Sequence, residues 1–260
     1  MRRPDAKANP VYRDDSDPVS RRLTLSIVIA TFFRKNRIAF RLALLLILIG
    51  AVLANATSAR AAAAADAAPV GPMASVKSVV DQTKAIFTDQ SIAPADREKK
   101  LRAIAESRFD FEKMARTAVG LHWRDFSPSQ RAEFVPLFTN FIEDVYLSRM
   151  EQYSVEKVQQ TVQSSSIQFI RERLDSPDQA VVFSSVTLQD RPKPIDVNYL
   201  MKLDDGQWKI YDITLDAISV IANYRNQFNR VLNDGGYDKL VGIMRQKQQA
   251  LGTSMAKSNP

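Results

Sequence analysis

Two acidic residues lie beside tyrosines in the second half of the 260-residue sequence, and they are the side chains best suited to chemistry. Asp212 directly follows Tyr211, and Asp196 precedes Tyr199 by three positions. A carboxylate whose pKa is raised by burial can act as a general base, and a tyrosine can polarise a carbonyl group as its electrophilic partner. The same carboxylate can instead cap a helix or pair with a cation such as Lys209. The sequence leaves both interpretations open, and the structural one is the more common.

Other catalytic and metal-binding chemistries lack the residues they need. The chain has no Cys and a single His, His122. Thiolate metal sites, Cys nucleophiles, His-based zinc sites and a Ser-His-Asp triad of the usual kind are therefore not expected. No Gly-rich phosphate loop, HExxH motif or GxSxG motif is present in the sequence. We predict no metal site, no cofactor and no enzymatic activity, and the alternative is an enzyme of cone-shaped fold that uses Asp212.

Apolar side chains at regular spacing are more informative than the polar ones. A long helix predicted to begin at Ser127-Pro128-Ser129-Gln130 carries a broad aromatic face, and Pro136 inside it predicts a kink. A strand over 195–203 alternates apolar and polar residues, and a helix over 218–228 repeats apolar residues at helical spacing. These faces form an ordinary close-packed core, or they line an apolar cavity suited to acyl chains if the sheet curves away from the long helix. The residues proposed to line such a cavity are Phe134, Phe138, Phe141, Val145, Tyr146, Met150, Val197, Tyr199, Met201, Ile218, Ile221, Tyr224 and Phe228.

The order of the elements that position these faces defines the fold class. Three shorter helices precede the long one, and candidate strands follow it over 155–162, 167–174, 180–188, 195–203 and 207–215. The last strand passes almost directly into a helix capped by Asp216 or Ser219, and Asp234-Gly235-Gly236 separates that helix from a final one. Because the connections between strands are short, the sheet should be an antiparallel meander. We predict an α+β fold in which helices pack around a curved antiparallel sheet of four to five strands and enclose an apolar cavity.

The N-terminal segment has the layout of an export signal. Residues 34–61 place four cations first, then an apolar run of 13 residues from Leu42 to Ala54, then small residues. The run is shorter than the ~20 residues that span a bilayer as a helix, so an uncleaved inner-membrane anchor is the alternative rather than the first choice. We predict a signal peptide with an unusual extension over 1–61, a disordered linker over 62–72, one domain over 73–249 and a flexible tail over 250–260.

The charge of the chain is concentrated in that N-terminal segment. Residues 1–61 hold 11 of the 36 Lys and Arg residues and 4 of the 29 Asp and Glu residues, so the remainder has 25 of each sign. The net charge of +7 therefore belongs to the first 61 residues. A neutral domain has no electrostatic basis for binding a phosphate backbone, and nucleic acid is not expected as a partner.

A set of residues in segments 109–146 and 213–247, and in the strand before the second segment, has a characteristic order and spacing. The set comprises Phe109-Asp110-Phe111, Met114-Ala115, Gly120, Trp123, Ser127, Gln130-Arg131, Phe134, Phe138, Tyr146, Trp208, Asp212, Ile218-Ser219-Val220-Ile221, Tyr224-Arg225, Gln227-Phe228, Gly236, Asp238 and Leu240. In these residues the chain resembles the MlaC family, the toluene-tolerance (Ttg2-type) periplasmic phospholipid-binding proteins. The likeness covers essentially the whole chain after the N-terminal segment, over about 175 residues by the spacing of its motifs.

This resemblance implies a monomeric periplasmic carrier of glycerophospholipid. It implies exchange of lipid with an inner-membrane ABC transporter that carries an MCE protein and with an outer-membrane lipoprotein complex. Some members of the family are associated with hopanoid metabolism, so a hopanoid-related lipid is an alternative ligand. Arg225 and Lys202 are the cations proposed to contact a head-group phosphate. A third alternative is an envelope adaptor that binds no lipid, which predicts a filled core.

Overall fold

Short capping signals set the ends of the first helices. In the computed structural model, which describes residues 71–151, 160–162, 164–189 and 193–258, α1 spans Pro72–Thr88, α2 spans Pro94–Arg108 and α3 spans Phe111–Val119. A proline begins α1 and α2, at a position where its missing N–H costs no helical hydrogen bond. The carboxylate of Asp110 accepts a hydrogen bond of 2.8 Å from the N–H of Lys113 and caps α3.

The capping box predicted for the long helix is present. After a 3-10 turn at Gly120–Arg124, α4 spans Pro128–Glu151. The hydroxyl of Ser127 accepts from the N–H of Gln130 at 3.2 Å, and the side-chain oxygen of Gln130 accepts from the N–H of Ser127 at 2.9 Å. The helix continues through Pro136, and the kink predicted there stays a prediction.

Five strands among the described residues form an antiparallel meander, in which each strand pairs with the next one along the chain. The predicted strands match the first four within two residues, whereas the short fifth strand was not predicted. A two-residue turn at Asp205 and Gly206, both with positive φ, joins the third and fourth strands tightly enough for antiparallel pairing. The strands are β1 Ser166–Ser176, β2 Gln179–Thr187, β3 Ile195–Asp204, β4 Gln207–Leu215 and β5 Ile218–Ser219.

The strand predicted over 155–162 is wrong where the structure describes it. Residues 160–162 are helical, and the N–H of Ser164 donates to the carbonyl of Gln160 at 2.9 Å. Val158 and Val162 are four positions apart, which is a helical spacing rather than the alternation of a strand. Residues 155–159 lie outside the described ranges.

A tight turn joins the sheet to the last helix, α5, which spans Val220–Ser258. Asp216 and Ala217 both have positive φ, 47° and 66°, and turn the chain back so that β5 pairs with β4. The hydroxyl of Ser219 then accepts from the N–H of Ala222 at 2.8 Å and caps α5, as predicted. Asp216 is not the cap, because its carboxylate accepts from the N–H of Asp196 at 3.1 Å.

The predicted break in the last helix lies at two glycines. Gly235 (φ −156°, ψ 17°) and Gly236 (φ 66°, ψ −163°) are non-helical inside α5. After the break, the ring of Tyr237 lies 4.8 Å from that of Phe126, and its hydroxyl donates to the carbonyl of Gln130 at 3.1 Å. α5 continues to Ser258, so most of the range 250–260, for which a flexible tail is predicted, is helical in the structure.

The interface between α4 and α5 is a close-packed aromatic cluster. Ring centroids lie 6.0 Å apart for Phe134 and Phe138, 6.3 Å for Phe138 and Phe228, and 6.1 Å for Phe141 and Tyr224. Phe134 and Phe138 are fully buried. Edge-to-face pairs at these distances are the arrangement that aromatic rings prefer in a protein interior. The part of the aromatic face that carries Phe134, Phe138 and Phe141 is therefore close-packed.

Candidate functional site

A cavity of about 110 Å³ lies where α1, α2 and α4 face β3, β4 and the start of α5. The segment from Phe109 to Met114, between α2 and the middle of α3, closes one side of it. An apolar lining with few polar groups is typical of a site for an apolar ligand. The apolar residues of the lining are Val79, Val80, Leu101, Ile104, Ala105, Phe109, Phe111, Met114, Ile142, Ile210, Ile213, Leu215, Val220 and Ile221.

Some of the apolar side chains that α1 and α2 turn towards the cavity are not fully buried. Val79, Ile104 and Ala105 line the cavity and are only half-buried. A backbone hydrogen bond holds the α2–α3 connection against the sheet. The N–H of Asp110 donates to the carbonyl of Ile210 on β4 at 2.9 Å. Apolar groups that face inward without filling the interior leave space for a ligand.

An ion-pair network lies at one edge of the cavity. The guanidinium of Arg102 on α2 donates to Glu143 on α4 at 2.7 Å, to Asp144 at 2.8 Å and to Glu98 at 2.9 Å. The side chain of Arg102 is 26 % exposed, whereas that of Glu143 is 5 % exposed. Burial raises the pKa of Glu143, and the hydrogen bond from Arg102 opposes that shift. Arg102 and Glu143 both line the cavity.

Asp212 lies at the opposite, sheet side of the cavity and holds the start of α5. Its carboxylate accepts hydrogen bonds from the N–H of Ile213 at 2.8 Å, from the N–H of Ile221 at 3.1 Å and from the hydroxyl of Ser219 at 2.5 Å. Burial raises its pKa, and these hydrogen bonds oppose the shift. Helix capping, the more common interpretation of the sequence, is the role that this geometry supports.

Lys209, Asp196 and Tyr211 do not line the cavity that Asp212 borders. Lys209 pairs with Asp204 at 2.7 Å and not with Asp212. Asp196 is exposed. Tyr211 does not line the cavity, and the ammonium group of Lys113 lies 3.6 Å from its ring centroid. Asp212 and Tyr199 both line the cavity, but three hydrogen bonds already occupy the Asp212 carboxylate, which favours its capping role over that of a general base.

Tyr199 places a polar atom in the apolar lining. Its hydroxyl is buried and makes no well-formed hydrogen bond within the described ranges. The neighbouring hydroxyl of Ser184 donates to the carbonyl of Val197 at 2.9 Å. Burial raises the pKa of Tyr199, so the hydroxyl stays protonated and available as a donor.

Three of the residues predicted to line a lipid cavity do line this one: Tyr146, Tyr199 and Ile221. Val197 and Met201 are buried on the same face of β3 as Tyr199 and belong to the same core cluster, but they do not line the cavity. Phe134, Phe138, Phe141, Val145, Tyr224 and Phe228 are buried and do not line the cavity. Most of the predicted residues therefore lie outside the lining of this cavity, and their contact with a lipid stays a prediction.

Ile218 and the two predicted head-group cations also lie away from the cavity. Ile218 is 57 % exposed because β5 is the edge strand of the sheet. Arg225 is exposed, Lys202 is half-buried, and neither lines the cavity. The side chain of Met150 lies outside the described residues.

α1 and α2 contribute to the cavity, which was not predicted from the sequence. Val79, Val80 and Thr83 on α1, and Leu101 and Ile104 on α2, recur at helical spacing, which was the available signal. Helical spacing indicates that a face points into the protein, but it does not show whether that face packs against other side chains or lines a cavity. Glu143 gave no signal, because a lone Glu on a helix is usually exposed.

No group of three or more His, Asp or Glu side chains in the described part of the chain is placed to hold a metal ion. No helix in the same ranges is long and apolar enough to cross a membrane.

The helices, the meander and the apolar cavity define a class of small α+β proteins that enclose an apolar interior space. Residues 77–246 match the model of the MlaC protein family, which is more than half of the chain. The protein belongs to the MlaC family.

A solved structure shares the fold. It is the phospholipid-binding protein from Ralstonia solanacearum in complex with a phospholipid, and it is 22 % identical in sequence to this chain. The match covers 70 % of this chain and 98 % of the other, with a TM-score of 0.55.

Proposed function

We propose that this protein binds a phospholipid in the cavity between α1, α2, α4 and the sheet. The observation that carries the proposal is a cavity inside the domain with a mostly apolar lining. Membership of the MlaC family supports it, as does the shared fold of a protein from Ralstonia solanacearum that is described as phospholipid-binding.

Exposure of the acyl chains to water makes transfer of a free phospholipid between membranes unfavourable. A phospholipid with two acyl chains exposes tens of CH₂ groups, and each contributes ~0.8 kcal/mol when it is removed from water. A carrier lowers the barrier to aqueous transfer by burying these groups, and none of its residues needs to react. The hydrogen bonds that occupy the Asp212 carboxylate fit a carrier better than a general base.

The cellular role that follows is transfer of lipid between two membranes. The signal-like segment over 34–61 and the neutral charge of the remainder support a place in the periplasm. The protein then takes phospholipid from, or gives it to, an inner-membrane ABC transporter with an MCE protein and an outer-membrane lipoprotein complex. This part of the proposal rests on the family.

Native mass spectrometry of the gently purified protein tests lipid binding and identifies the lipid. We expect a co-purified glycerophospholipid. A hopanoid-related lipid would support the alternative ligand. An empty protein that also fails to take labelled phospholipid from vesicles would exclude the carrier function.

A matched pair of variants tests the location of the lipid. Ala105 lines the cavity, whereas Ala103 on the same helix is exposed. Ala105→Trp should fill the cavity and reduce lipid uptake at least tenfold, because the new ring competes for the space of the acyl chains. Ala103→Trp should leave uptake unchanged. Equal uptake by the two variants would place the lipid elsewhere.

A further inference from the structure

Glu143 carries a buried oxygen atom with nothing to bind it. Its Oε2 accepts from Arg102 at 2.7 Å, but Oε1 is buried without a hydrogen-bond partner in the described part of the chain. The residue is 6 % exposed and lines the cavity. More than nine in ten buried polar groups in native proteins have a partner, because an unpaired one costs free energy. The missing partner of Oε1 is therefore expected from the occupant of the cavity.

The charges around Glu143 indicate what that partner is. Arg102 is bound by Glu98, Glu143 and Asp144, so one cation faces three anions. Glu106 adds a further negative charge near Glu143. An additional anion such as a lone phosphate would be repelled here. A hydrogen-bond donor, above all a positively charged one, would be attracted.

The position of the network within the cavity indicates which part of a lipid lies there. Arg102, Asp144 and Glu98 are 26 %, 24 % and 33 % exposed, so this edge of the cavity reaches the surface. Tyr199, Ile210 and Ile221 on the sheet side are nearly inaccessible. Acyl chains favour the inaccessible apolar side, and the polar head of the lipid favours the edge that reaches water.

We propose that Oε1 of Glu143 accepts a hydrogen bond from an N–H or O–H group of the lipid head group, and that this contact makes the protein prefer lipids whose head groups are donors. The inference rests on the proposed function, because it needs a lipid in the cavity. Specificity arises since a head group without a donor leaves Oε1 buried and unpaired.

A series of N-methylated lipids tests the preference at constant head-group charge. Protein from expression of the full chain is incubated with vesicles of phosphatidylethanolamine, its N,N-dimethyl derivative or phosphatidylcholine, whose ammonium groups carry three, one and no N–H donors. We expect affinity to fall along the series by about tenfold or more, the factor that one charge-assisted hydrogen bond contributes. Phosphatidylglycerol offers O–H donors on an anionic lipid. Affinity equal to that for phosphatidylethanolamine would show that either donor serves, and affinity equal to that for phosphatidylcholine would restrict the site to the ammonium.

Glu143→Gln and Asp144→Asn form a matched pair that locates the preference. Each substitution removes one negative charge and weakens one hydrogen bond of Arg102, but only Glu143 lines the cavity. Glu143→Gln should reduce the preference for phosphatidylethanolamine over phosphatidylcholine to about threefold, because a neutral acceptor forms a bond about half as strong. Asp144→Asn should keep the preference. Thermal unfolding of both variants checks that they are folded.

Failure of this inference differs from failure of the proposed function. Equal affinity of the wild-type protein for phosphatidylethanolamine and phosphatidylcholine would overturn the head-group site and leave the carrier function standing. Equal loss of preference in the two variants would assign the effect to the overall charge and would also overturn the site. No uptake of any lipid would overturn both proposals.

Discussion

Arg102 compensates a charge that the interior of the protein disfavours. Glu143 is a carboxylate with a side chain only 5 % exposed, and burial raises its pKa. The 2.7 Å bond from Arg102 replaces part of the lost hydration and favours the ionised form. Because Arg102 lies on α2 and Glu143 on α4, this ion pair also joins the two helices that border the open edge of the cavity.

Arg102→Gln should destabilise the protein in a pH-dependent way. Without its cation, Glu143 has a pKa raised further above the ~4.3 of an unfolded chain, so the folded state holds a proton more tightly than the unfolded state. Stability is then fully present below pH ~4.3 and is lost as the pH rises through the folded-state pKa. Since Arg102 is partly exposed, we expect a loss of ~2 kcal/mol at pH 7.5, below the range for fully buried pairs. Denaturant unfolding at pH 5 and at pH 7.5 measures it.

The double variant Arg102→Gln/Glu143→Gln is the control for this prediction. It removes the uncompensated carboxylate, and it should regain most of the stability lost at pH 7.5. A loss in Arg102→Gln that is the same at both pH values would contradict the role assigned to the ion pair.

At the scale of single elements, the break in α5 depends on the backbone freedom of one residue. Gly236 has φ 66° and ψ −163°, a region that only glycine occupies readily. The break directs the second part of α5 onto α4, where Tyr237 donates to Gln130 and Arg245 pairs with Glu133. A helix without the break would carry these residues away from α4.

Gly236→Ala and Gly242→Ala should change stability in opposite directions. Alanine at 236 cannot adopt the observed backbone without strain of ~1–3 kcal/mol, although space for a Cβ exists. Gly242 is helical and its added Cβ meets no atom within 4 Å, so alanine there should stabilise by ~0.5–1 kcal/mol. Urea unfolding compares the two variants. Destabilisation of both by the same amount would show that the break is not the cause.

Elements with local signals were predictable, and those defined by distant partners were not. The β4 strand at Gln207–Leu215 and the capping box at Ser127 and Gln130 follow from patterns within ten residues. β5 has two residues and exists only because Asp216 and Ala217 turn it onto β4. The helical residues 160–162 were assigned to a strand because short apolar runs fit both periods.

At the scale of the whole molecule, the domain has a filled side and an unfilled side. Aromatic rings fill the space between α4 and α5, whereas smaller side chains on α1 and α2 leave a cavity against the sheet. Both sides show the same inward-facing apolar periodicity in the sequence. Periodicity identifies a face that avoids water but not the distance to the face opposite, so it could not distinguish the packed positions Phe134, Phe138 and Phe228 from positions that line the cavity.

Removal of the bound lipid should therefore lower the free energy of unfolding, because the folded state loses its contacts with the lipid in the cavity. A ligand that binds only the folded state adds ~4 kcal/mol to the free energy of unfolding at a thousand times its Kd. For a domain of this size that corresponds to a rise in Tm of ~8–16 °C. Differential scanning fluorimetry of delipidated protein with added short-chain phospholipid measures the rise.

Two variants decide which side of the molecule holds the lipid. Ala105→Trp should melt near the wild-type temperature without lipid and show little rise with it, because its cavity is filled. Phe138→Leu should lower the free energy of unfolding by ~1–2 kcal/mol through lost packing, and its Tm without lipid should fall accordingly. Added lipid should still raise its Tm by the full amount, since Phe138 lies in the aromatic cluster and not in the cavity. The reverse result, a rise kept by Ala105→Trp and lost by Phe138→Leu, would place the acyl chains between α4 and α5. The aromatic face would then open to admit a ligand, and the positions predicted from the sequence would be right.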